Sequence, residues 1–121
     1  MTIANAPCLW LTTLRRDGSP HTTPVWFLLI DQTFWIASSI LNAKVENLRH
    51  DPRVSLAIDG TGDRPYVAQG RVLVHRSYGD FPQLVDQFAA KYDGWDVTDE
   101  TQDGPRVLLE VPVGRWLLAA R

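Results

Sequence analysis

The sequence predicts a mainly β fold with two helices, an α+β domain whose roughly six strands curl into a small antiparallel barrel. Three observations carry this. Apolar residues alternate with a period of two along most of the chain and change to helical spacing in only two stretches. The first three strand segments are joined by connections too short for a crossover, which makes them antiparallel neighbours and excludes a doubly wound parallel sheet. Strand segments with apolar character on both faces fit a sheet that closes on itself and is covered by helices.

The opening strand is Cys8–Arg15, rich in Trp, Leu and Thr, and it runs into the hairpin signal Asp17-Gly18. A second strand spans His21–Ile30, and Asp31-Gln32 turns it into a third, Thr33–Ser38. Leu41, Val45 and Leu48 then stand on one helical face, with Asn42 as the expected cap and Asp51-Pro52 as the stop. Arg53–Asp59 returns to strand pattern and is followed by a turn over Asp59-Gly60-Thr61-Gly62-Asp63. The next strand is Tyr66–His75, in which Gly70 marks a bulge or a close backbone approach. Phe81, Leu84, Val85, Phe88, Ala89 and Tyr92 form the apolar stripe of a second helix. Asp80 and Gln83 have the spacing of a capping box there, and Asp93-Gly94 ends the helix. An acidic loop, Trp95–Pro105, leads to a last strand, Arg106–Val111, and to the apolar piece Arg115–Arg121.

The 121 residues make one domain, 1–121, and 45% hydrophobic with 21% charged residues is globular composition. A formal net charge of −2 argues against a nucleic-acid binder. The single cysteine, Cys8, allows no intrachain disulfide and reads as a small buried hydrophobe in preference to a nucleophile. The start of the chain lacks the pattern of a secretory signal, and no apolar run reaches the ~20 residues of a membrane span, so a cytoplasmic protein is expected.

No familiar catalytic motif is present. His21, His50 and His75 are scattered without metal-ligand spacing, and there is no phosphate-binding glycine loop. If the protein is an enzyme, a cofactor carries the reaction. One stretch has the chemistry of an anion site: Ser38 and Ser39 end a strand, and Lys44 stands in the first turn of the following helix. Hydroxyls, an ammonium and a helix N-terminus together suit a phosphate, although residue types alone also fit an ordinary strand–helix turn.

Two strings shift that balance. Leu14 to Phe27, reading LRRDGSPHTTPVWF, resembles the front half of the pyridoxamine-phosphate-oxidase-like split barrels. Lys44 to Leu56, reading KVENLRHDPRVSL, is similar to their second signature, K-x-x-N-L-R-x-D-P-R-V. Together they resemble the flavin/deazaflavin oxidoreductase superfamily, and especially its branch using coenzyme F420. The resemblance implies a six-stranded split barrel, a homodimer and a cofactor site at each subunit interface. It places Pro24, Val25 and Trp26 along the cofactor ring, and Ser38, Ser39 and Lys44 at the phosphate, with Arg49 assisting. Asn47 is read as structural. The basic strand motif of the pyridoxamine-phosphate oxidases themselves is replaced here by Thr23-Pro24-Val25-Trp26-Phe27-Leu28, which favours F420 over FMN.

The implied activity is hydride transfer from bound F420 to a small electron-poor substrate such as an enone or imine. The alternatives are an FMN-dependent oxidoreductase of the same fold, or a non-catalytic flavin- or haem-binding protein, the haem case resting on His21. Of the five tryptophans, Trp10 and Trp35 read as core or interface anchors. Trp26 is either such an anchor or a residue facing the cofactor, and Trp95 and Trp116 are candidates for a substrate wall. Tyr66 and Gln69 are further candidates for the cleft.

Overall fold

The computed structural model describes residues 3–59 and 65–119. A short 3-10 turn, Ile3–Asn5, precedes β1 (Leu9–Leu14), β2 (Pro20–Val25), β3 (Leu28–Ile30) and β4 (Thr33–Ser39). Helix α1 (Ala43–His50) follows, then β5 (Arg53–Asp59), β6 (Pro65–Arg71) and β7 (Leu73–His75). Helix α2 (Pro82–Lys91) and a long strand, β8 (Arg106–Leu118), complete the chain. All strand pairs are antiparallel, in the order β2-β1-β5-β6-β8-β4-β3, with β7 pairing β8. The mainly β, two-helix antiparallel barrel expected from the sequence is present. The expected turn over residues 59–63 lies outside the described residues.

Among the described residues the strands number eight because two of the six expected are each broken. The expected strand His21–Ile30 divides at Trp26-Phe27 into β2 and β3, which lie at opposite ends of the sheet order. At the break the backbone of Phe27 bonds to side chains: its N–H donates to the Tyr92 hydroxyl at 2.8 Å, and its carbonyl accepts from Lys91 Nζ at 2.8 Å. The expected strand Tyr66–His75 divides at Val72, whose N–H donates to the Pro52 carbonyl at 2.9 Å. Conversely, Arg106–Val111 and residues 115–118 of the apolar C-terminal piece are one strand. β8 pairs β4 and β7 through its first half and β6 through its second.

Local chemistry accounts for the connections. Asp31 and Gln32 both hold positive φ, at 50° and 64°, the conformation of a two-residue hairpin turn. Asn42 caps α1 as expected, its side chain accepting from the Lys44 N–H at 3.1 Å. Leu41 does not share the buried face of Val45 and Leu48: it precedes the helix and is 77% exposed. The start of α2 also differs from expectation. Phe81, not Asp80, occupies the cap position; its phenyl ring has no acceptor and makes no side-chain cap bond, and Pro82 opens the helix with one fewer N–H to satisfy. Asp93 and Gly94 have positive φ and end α2, with the Gly94 N–H reaching back to the Ala89 carbonyl at 2.8 Å.

The core lies inside the barrel, where Leu9, Leu11, Phe27, Phe34, Ile36, Leu56 and Leu109 are fully buried. Each such side chain contributes about 1.5–3 kcal/mol by leaving water. A second cluster of Leu28, Leu84, Phe88, Val97 and Leu108 packs α2 onto the outer side of β3 and β8. That is why the second expected strand is apolar on both faces. Asn47 is structural, as read from the sequence: its amide donates to Thr13 Oγ1 at 3.0 Å. No helix among the described residues is long and apolar enough to cross a membrane.

Candidate functional site

The seam of the barrel, where β2 ends and β3 begins, opens into a cleft of about 750 Å³. Pro24, Val25, Trp26, Ser38, Ser39 and Lys44, six of the expected site residues, all line it. Arg49 does not. It stands exposed on α1 in an ion pair with Glu46 at 3.5 Å, outside the lining.

The two serines differ in what they have left to offer. Ser39 is engaged within the protein: its hydroxyl donates to the Asp103 carbonyl and accepts from the Leu41 N–H at 3.2 Å. Ser38 is only 6% exposed, and its hydroxyl has no hydrogen-bond partner among the described residues. Lys44 is 7% exposed, and its ammonium likewise has no partner among them. Burial holds that ammonium below the usual lysine range, and the charge of Arg106 lowers it further. A nearly buried cation without a counter-ion is unfavourable by itself, and an anion in the cleft relieves it.

Arg106 was not apparent from the sequence. The β4–β8 register places it directly opposite Ser39, a pairing across many residues that leaves no local signal. Its Nε donates to the Val97 carbonyl at 3.0 Å, its guanidinium lies 5.8 Å from the Trp95 ring, and Asp103 is 3.8 Å away. Lys44 and Arg106 against the single lining carboxylate, Asp103, leave the cleft with a net positive charge.

Part of the cleft lining is aromatic. Trp26 is 47% exposed and stacks on Tyr92 with ring centroids 4.5 Å apart and planes 3° from parallel. The edge of Trp95 meets Trp26 at 5.1 Å, and both tryptophans line the cleft. Trp116 does not: it packs beside Phe34 and Tyr66, its indole N–H donating to Gln32 at 2.8 Å. Tyr66 is thereby placed against the core, and Gln69 lines a different cleft. Cys8, expected to be buried, is half-buried with a free thiol lining this cleft. No histidine lines it; His21 instead holds a buried Nδ1 without a partner on β2.

The family model for pyridoxamine 5'-phosphate oxidase matches residues 2–119. Among solved structures, an F420 reductase superposes with a TM-score of 0.75 at 22% identity, over 94% of this chain and 92% of its own. The haem storage protein HutZ from Vibrio cholerae gives 0.76 at 16% identity, over 93% and 86%. A FAD-binding protein from Mesorhizobium loti gives 0.72 at 20%, over 94% and 84%. At these identities the structures share the fold. No curated protein matches the sequence at a significant level. With the family model spanning nearly its whole length and the split barrel formed as that family forms it, this chain belongs to the pyridoxamine 5'-phosphate oxidase family.

Proposed function

We propose that the protein is an oxidoreductase that holds coenzyme F420 in the seam cleft and reduces a small electron-poor substrate. The observation that carries this is the pair of nearly buried, unpartnered polar groups on Ser38 and Lys44, which with Arg106 suit one phosphate. The aromatic part of the lining, with Trp26 held by Tyr92, suits a flat ring system. Bound there, the cofactor supplies the hydride. The chain's own residues bind the phosphate, orient the ring along Pro24, Val25 and Trp26, and limit water at the seam. Arg49, on the solvent side of α1, takes no part in this reading.

We further propose that the working form is a homodimer. Pro24, Trp10, Ala57, Val67 and Leu118 stand in register across β2, β1, β5, β6 and β8, an apolar row on the outside of the barrel. Trp10 is 49% exposed there, and the row begins at Pro24, which also lines the cleft, so a second copy seated on it borders the cofactor site.

The F420 reading is tested by titrating purified protein with F420 and with FMN and following tryptophan fluorescence, then screening enones for turnover of reduced F420. Saturable F420 binding at tenfold or better preference, with turnover, supports it. Preference for FMN keeps the phosphate cradle and replaces the cofactor. Binding of neither overturns the reading, and binding without turnover of any acceptor favours a carrier role.

A further inference from the structure

A second cleft, of about 810 Å³, opens on the outside of the barrel and shares no lining residue with the first. Its floor lies where β6 meets β8. A Cβ at Gly70 would stand 2.7 Å from the Pro112 carbonyl oxygen, and one at Gly114 would stand 3.3 Å from the Gln69 carbonyl oxygen. The register of β6 on β8 slips between Gln69 and Gly70, so the sheet bends and becomes concave at this point.

Three arginines line the concavity: Arg53, Arg71 and Arg115. Arg53 and Arg71 are directly opposite one another in the β5–β6 register, an arrangement in which like charges oppose pairing. Asp51 forms an ion pair with Arg53 at 2.7 Å; hydrogen bonds from that guanidinium pull the Asp51 carboxyl down to about 2, and the nearby charge of Arg71 adds to the pull. Among the described residues no carboxylate lies within ion-pair distance of Arg71 or Arg115, and no acidic residue lines the cleft. Leu14, Leu73 and Val113 add apolar wall beside the arginines.

From this geometry we propose that the second cleft is a binding site for a small organic anion, an apolar body carrying phosphate or carboxylate groups. Guanidinium groups pair bidentately with either anion, and the apolar wall takes the body. The site is independent of the cofactor reading. On the same outer face its nearest lining residues, Thr12, Ser55 and Gln69, stand two positions along their strands from Trp10, Ala57 and Val67, about 7 Å, so the site borders the apolar row.

The test is a fluorescence titration with 1-anilinonaphthalene-8-sulfonate, an organic anion with an apolar body, followed by displacement with inorganic pyrophosphate. It is run on wild-type protein, on an Arg71→Gln/Arg115→Gln double variant and on Lys44→Met. Both arginines are exposed, so the double variant is expected to keep its melting temperature. The proposal expects saturable binding to wild type and Lys44→Met alike, displaced by pyrophosphate and weakened at least about tenfold in the double variant. Equal affinity in the double variant, loss of binding only in Lys44→Met, or no saturable binding to wild type would each overturn it.

Discussion

Tyr92 lays its ring on Trp26, with centroids 4.5 Å apart, while its hydroxyl accepts the amide hydrogen of Phe27 at 2.8 Å. One side chain at the end of α2 thus occupies the place a neighbouring strand would take at the barrel seam, and aims the aromatic wall of the cleft. The hydroxyl proton lies within reach of the Phe27 and Pro7 carbonyls, each 3.0 Å away, so the start of β1 is tied to the same point.

Removing only that hydroxyl therefore separates the two roles. Tyr92→Phe is expected to lower stability by about 1–3 kcal/mol, the cost of leaving the Phe27 N–H unpaired, while retaining the ring stack. Tyr92→Leu is expected to lose roughly 0.5–1.5 kcal/mol more and to shift the Trp26 fluorescence. Urea unfolding of the two variants measures both effects, and equal losses would show that the stack contributes nothing.

The concave junction of β6 and β8 depends on Gly70. Gly70→Ala places a methyl group 2.7 Å from backbone that a rotamer change cannot relieve, and a loss of about 1–3 kcal/mol is expected. Gly18 gives the comparison. A Cβ there meets nothing within 4 Å, and only its φ of +87° penalises alanine, by about 1 kcal/mol. Thermal melts of the two variants are expected to rank Gly70→Ala as the less stable.

Anion binding in the seam cleft carries a pH signature. Lys44 is held below its ordinary range by burial first and by Arg106 second. As pH rises through that lowered range, the free protein loses the ammonium charge, so affinity for a phosphate-bearing cofactor falls. At lower pH the charge is complete, and affinity levels off for a phosphodiester such as F420, whereas for a monoester such as FMN it follows the second phosphate ionisation, at about 6. Lys44→Arg is expected to abolish the alkaline fall, and affinities measured across this range check it. A fall unchanged in Lys44→Arg would assign the titration to another group.

The apolar row on the outer face makes a separate claim about assembly. Trp10→Lys places a charge within it and is expected to convert a dimer to a monomer without unfolding it. Sedimentation at micromolar concentration reads the mass directly; a wild-type monomer would contradict the shared-site arrangement.

Where the sequence could be read and where it could not follows from the range of the interactions. Val45 and Leu48 beneath α1, the Asn42 cap and the Asp31-Gln32 turn are set by residues within a few positions of one another, and the sequence showed them. The Ser38–Lys44 stretch was equally local. The break at Trp26-Phe27 was not, because its cause is Lys91 and Tyr92, more than sixty positions away. Arg106 depends in the same way on the β4–β8 register. Cys8 and Leu41 look like core residues by type, yet both line an opening that exists only because the barrel is split. Arg49 sits in the family signature, but its helical position turns it toward Glu46 and solvent.

The most direct test is Lys44→Met, which keeps an apolar stem in the buried position and removes the charge. At neutral pH the folded apoprotein pays to keep the buried ammonium charged, so the variant is expected to unfold at a higher urea concentration than wild type. That difference should shrink as pH rises through the lowered Lys44 range. In the same variant, affinity for the phosphate-bearing cofactor is expected to fall by about 1.5–3 kcal/mol, roughly ten- to a hundredfold. Opposite signs in stability and affinity would establish Lys44 as a group kept for an anion. A less stable variant that binds cofactor as tightly as wild type would contradict it and make Lys44 part of the framework.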